Sequence, residues 1–105
     1  MLVAVLLGIA SIGLAQEEPA GKALFLKNKC NTCHSVESQG IEALRDVKAA
    51  PDMSDAGNLI PDAAWAVKFV KREETKDGKK HRRPFKGSDK DVEQMIDWLM
   101  SLKKS

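Results

Sequence analysis

Apolar positions recur most regularly near the C-terminus. Val92, Met95, Ile96, Leu99 and Leu102 fall on one face of a 3.6-residue period, with charged residues between them. Ser88 stands just before this run and Asp91 three residues after Ser88, a box-like cap signature. Lys103 and Lys104 suit the negative end of such a helix. Two weaker helical patterns precede it. One runs from Ala20 to about Asn28, with Gly21 and Phe25 four apart on one side. The other opens at Pro61, favoured at a first helical position, with Asp62 suiting the N-terminal dipole, and runs to about Arg72 with Trp65, Phe69 and Val70 inward. Ile41–Val47 predicts a helical turn or two, whereas Ala49–Asn58 is rich in turn formers and reads as irregular. Thr75–Gly87 reads as a basic loop, and no segment reads strongly as a strand. The expected fold class is all-α, with long loops.

The first fifteen residues differ from the rest. Met1–Ala15 carries no charged side chain, and its apolar run is shorter than the about 20 residues a spanning helix needs. Small residues at Gly13 and Ala15 fit a signal-peptidase site, so the expectation is a secretory signal over residues 1–15 and a single domain over 16–105. An uncleaved anchor is the rival, since no Lys or Arg precedes the apolar run; only then would the chain be held at a membrane. The expected location is periplasmic or otherwise exported. A domain of this size buries a modest core, and three Phe, two Trp and no Tyr offer little to fill it.

The net charge of +2 hides an asymmetry. Residues 68–90 hold ten Lys or Arg against four acids. A solvated loop is the plain reading; the functional one is a docking face for an acidic partner, because local charge steers encounter. No nucleic-acid motif accompanies the basic run.

Cys30-Asn31-Thr32-Cys33-His34 has the C-x-x-C-H form of a haem attachment site. Two intervening residues let a tight turn present both sulfurs to neighbouring vinyl groups of a porphyrin, and the adjacent His then reaches the iron. The other ring N–H of His34 should find an acceptor that fixes its tautomer. A disulfide would not need His34. A zinc site needs about four ligands, and the chain has only two Cys and two His. A thioredoxin-like site expects a βαβ setting, which is absent. A buried, covalent, flat cofactor would also supply core that the side chains lack.

Nearly all of residues 16–105 resembles the class I, single-haem cytochrome c family. Gly21-Lys-Ala-Leu-Phe25 looks like that family's N-terminal helix, and Ile96-Asp-Trp98-Leu99 like the C-terminal helix it meets. Ala50-Pro51-Asp-Met53-Ser resembles the loop whose proline carbonyl receives the proximal His N–H, which implies that Pro51 supports His34. The resemblance implies three to five helices around one covalent haem c. The family's distal Met is missing from the loop before the last helix; His81 stands about where it would fall. Met53 is the second candidate for that ligand, with core packing as its plain role, and an open iron position or a Lys ligand remains. Imidazole in place of thioether lowers the reduction potential. Trp65, with Arg side chains, is a candidate contact for the haem propionates, and Phe85 in the distal loop a candidate haem contact.

The function this implies is one-electron transfer by a non-enzymatic carrier that docks on acidic redox partners. A CO- or NO-binding haem protein, and a haem subunit of a larger oxidoreductase, are the alternatives. Peroxidase chemistry finds no distal acid–base pair, since His81 is the only other His.

Overall fold

The computed structural model describes residues 19–104. The expected signal, Met1–Ala15, lies outside them. Four α-helices are found among the described residues: α1 (Ala20–Lys27), α2 (Ala56–Leu59), α3 (Ala63–Val70) and α4 (Asp89–Met100).

Helix α4 forms as its sequence requires. The Ser88 hydroxyl accepts the Asp91 N–H, and the Asp91 carboxylate accepts the Ser88 N–H, so the capping box is complete. Its apolar face buries Val92, Met95, Ile96, Trp98 and Leu99. Helix α1 has eight residues and no side-chain cap, too little to hold alone in water. Tertiary packing holds it: Gly21 and Phe25 are its buried residues, and the Phe25 ring meets Trp98 edge to face at 5.7 Å. At Gly21 an added Cβ would overlap the Trp98 side chain and stand 2.8 Å from the Gln94 carbonyl oxygen, so only glycine allows this approach. The chain leaves α1 through Lys29, which takes a left-handed φ of 58°.

Four local expectations are corrected. Ile41–Val47 is not helical; Ile41 instead forms an isolated antiparallel bridge with Val36, and both side chains are buried. Burial of two β-branched residues outweighs the weak helical pattern there. At the end of the segment read as irregular, Ala49–Asn58, and one residue past it, residues 56–59 form α2. The Gly57 N–H donates to the Leu102 carbonyl at 2.7 Å, and Asp55 Oδ1 accepts the Lys104 N–H at 2.7 Å, which docks α2 on the end of α4. Pro61 does not open α3. Asp62 is its N-cap, accepting the Trp65 N–H at 3.1 Å, and the helix stops at Val70 with Arg72 left-handed at φ 65°. The buried residue of α3 is Ala66; Trp65 and Val70 are partly covered and pack inward against the core, whereas Phe69 does not.

The basic loop contains a small hairpin, β1 (Thr75–Lys76) and β2 (Lys79–Lys80), paired antiparallel. Asp77 and Gly78 both have positive φ, as a type I′ two-residue turn requires. The Asp-Gly pair carried that signal, but its flanks are lysines rather than alternating apolar residues.

Candidate functional site

All eight residues singled out from the sequence line one cavity of about 870 Å³: Cys30, Cys33, His34, Pro51, Met53, Trp65, His81 and Phe85. The size lies within the roughly 300–1,000 Å³ of sites that enclose small organic ligands. Helices α1, α3 and α4 supply its apolar lining with Phe25, Ala66, Phe69, Ile96 and Leu99.

Cys30 and Cys33 are free thiols on a tight 3₁₀ turn that closes on itself, the His34 N–H donating to the Cys30 carbonyl at 3.0 Å. Cys30 Sγ lies 4.0 Å from the buried Met95 Sδ. Burial pushes the Cys30 thiol up to about 11, against a smaller lowering pull from Arg83. A dithiol redox centre needs the opposite shift, because the thiolate is its nucleophile.

The His34 Nδ1–H donates to the Pro51 carbonyl at 2.8 Å. That bond leaves Nε2 free as a ligand. Burial holds the imidazole below the usual histidine range; the Pro51 carbonyl pulls the other way, and the His81 ring adds to the lowering. A neutral imidazole is the metal-binding form. The Pro51 loop is held in turn by Asp52, whose carboxylate accepts from the Ser35 hydroxyl at 2.7 Å, the Glu37 N–H at 2.8 Å and the Ser54 N–H at 3.0 Å. The Met53 N–H donates to the Ser35 carbonyl at 2.8 Å, which ties Met53 to the chain next to His34.

His81 sits on the other side. Its Nδ1 meets the Arg83 carbonyl at 2.6 Å, so its Nε2 is also free. The two imidazole rings lie 6.3 Å apart between centroids, with planes 2° from parallel. The loop carrying His81 is fastened at three points. Phe85 N–H donates to the Val70 carbonyl at 2.8 Å, Lys86 N–H to Asn28 Oδ1 at 2.8 Å, and Arg83 Nη1 lies 3.4 Å from Thr32 Oγ1. Lys71 and Asp89 close its base with an ion pair at 2.7 Å. Trp65 and Phe69, four apart on α3, stack at 4.8 Å, and Phe69 meets His81 edge-on at 5.2 Å. Sequence reasoning did not mark Phe69, Asp52 or the Arg83 carbonyl as part of the site.

The residues fit a flat apolar group attached through two thiols. The cavity is large and mostly apolar, both thiols line it without forming a disulfide, and two imidazoles each engage a backbone carbonyl through Nδ1 and keep Nε2 available. Among the described residues no group of three or more His, Cys, Asp or Glu is placed to hold a bare metal ion. A small helical domain with this pocket and a C-x-x-C-H turn is of the haem-binding class. A family model for cytochrome c matches residues 19–103, and the chain belongs to that family. Its members carry one covalently attached haem c in a domain of this size, serve haem-based electron transfer and are typically exported. No curated protein and no solved structure matches the chain.

Proposed function

We propose that this chain is an exported one-electron carrier, not an enzyme, whose single haem c is held by Cys30 and Cys33 and ligated by both His34 and His81, giving a lowered potential. The observation that carries the reading is the paired imidazoles. Two metal–imidazole bonds of about 2 Å each, plus the reach from each nitrogen to its ring centre, span roughly 6 Å between centroids, and the observed separation is 6.3 Å.

The haem supplies a one-electron change at iron; the protein supplies its surroundings. The Pro51 and Arg83 carbonyls each hold a proton on Nδ1, which fixes both tautomers and keeps both Nε2 atoms available. Met53, Trp65 and Phe85 line the cavity and restrict water. Met53 keeps its packing role, because its backbone is tied beside His34 rather than across from it. His81→Ala tests the assignment. The ferric protein should pass from low spin to high spin, or take up added imidazole; an unchanged low-spin spectrum removes His81 from the iron.

The mouth of the cavity is rimmed by exposed Lys76, Lys79, Lys80, Arg82 and Arg83. This supports docking on acidic redox partners. Oxidation of the reduced protein by anionic ferricyanide should slow as ionic strength rises. A rate independent of salt would contradict a docking role for this rim.

A further inference from the structure

Phe69 is the one phenylalanine that does not pack on the core. Phe25 is buried in it and Phe85 leans against it, whereas the Phe69 ring meets Trp65 on α3 and His81 across the cavity. Its planes relate differently to the two neighbours: 11° from the Trp65 ring, 70° from the His81 ring. Phe69 is therefore backed by a flat indole and presents a nearly perpendicular partner to the imidazole. The Asp62 cap fixes the helix that carries both aromatics.

The His81 ring turns about its Cβ–Cγ bond, and one hydrogen bond, from Nδ1 to the Arg83 carbonyl, holds it. The Phe69 contact opposes that rotation. His34 lacks such a neighbour among the described ring contacts apart from His81 itself, yet the two imidazole planes agree within 2°.

We propose that Phe69 is a positioning residue that sets the plane of the distal ligand His81 and so keeps the two axial imidazoles parallel. The inference rests on the reading of His81 as ligand. Its consequence is electronic. Each imidazole donates π density to the iron d orbital perpendicular to its own plane. Parallel rings load the same orbital and split the pair, while crossed rings leave the two orbitals nearly equal in energy. The ferric state then differs visibly in electron paramagnetic resonance: parallel rings give a rhombic low-spin signal, crossed rings a strongly anisotropic one with a single dominant low-field feature.

The experiment is low-temperature electron paramagnetic resonance of the ferric, haem-loaded full chain, as wild type, Phe69→Leu and Phe69→Tyr. The wild type should be rhombic and low spin. Phe69→Leu keeps apolar bulk but loses the flat ring, and should convert much of the signal to the strongly anisotropic type while its absorption stays low spin. Phe69→Tyr keeps the ring and should restore the wild-type signal. Phe69 lies off the core, so these variants should fold; if Leu does not accumulate, Phe69→Ile should show the same conversion. A Leu variant indistinguishable from wild type overturns the proposal. A low-spin wild type that is already strongly anisotropic also overturns it, leaving the His34–His81 pair standing. A high-spin wild type fails the pair itself, before any variant is read.

Discussion

Asp52 gathers three donors from two segments of the chain, and through its neighbour Pro51 it steadies the carbonyl that holds His34. Partial burial pushes the Asp52 pKa up, but the Ser35 hydroxyl and the Glu37 and Ser54 groups outweigh it and bring the carboxyl down to about 2, from an ordinary 3.8. The folded value lies below the unfolded one. The carboxylate's contribution is therefore complete above pH 3.8 and is lost as pH falls toward 2. Discounted for solvent screening, it is of order 1 kcal/mol. Asp52→Asn should lower stability to urea at pH 7 by about that amount, and its deficit against wild type should shrink between pH 4 and about pH 2.5. A deficit that does not change with pH would mean the charge contributes nothing. Little of this was visible in the sequence: the Ser54 contact is local, two residues on, but Ser35 and Glu37 lie 17 and 15 residues away and only the fold brings them to Asp52. The Arg83 carbonyl escaped notice for a simpler reason: a backbone acceptor has no sequence signature.

The contact between α1 and α4 sets the frame of the molecule. Gly21 lets the helices approach until Phe25 and Trp98 meet, an aromatic pair worth about 0.5–1.5 kcal/mol beyond its buried area. Gly21→Ala should separate the helices and cost about 1–3 kcal/mol, seen as a fall of several degrees in the thermal midpoint of the haem-loaded protein. An unchanged midpoint would show that the helices have room the structure does not give them. This frame was legible beforehand. The i, i+4 spacing of Gly21 and Phe25, the capping box at Ser88 and the apolar period of α4 are local signals that tertiary structure had no reason to override. The middle of the chain was less legible. Val36 and Ile41 pair as an isolated bridge because they share burial, and two residues leave no periodicity to read. Phe69 was taken as an inward helix residue, since an aromatic on an apolar face looks the same whether it packs on core or lines a cavity.

At the scale of the whole molecule, a small domain arranges its secondary structure around a cavity set beside a small packed core. Five of the ten fully or nearly covered apolar residues lie in α4, with single contributions from Phe25, Val36, Ile41, Ala56 and Ala66. Further apolar residues, among them Met53, Ile60, Trp65, Phe69 and Phe85, line the cavity, where a covalent haem completes the core that the composition lacks. The proximal side, with its C-x-x-C-H turn, could be read from five adjacent residues. The His81 side is assembled from α3, the segment after the hairpin and a backbone carbonyl, and only the fold brings those together. Its position opposite His34 is the central claim. The most direct test is the absorption spectrum of the ferric, haem-loaded protein at neutral pH, recorded from the Soret band into the near-red. The account predicts a low-spin spectrum without the weak near-red methionine-to-iron band. A clear methionine band, or a high-spin spectrum, would contradict it.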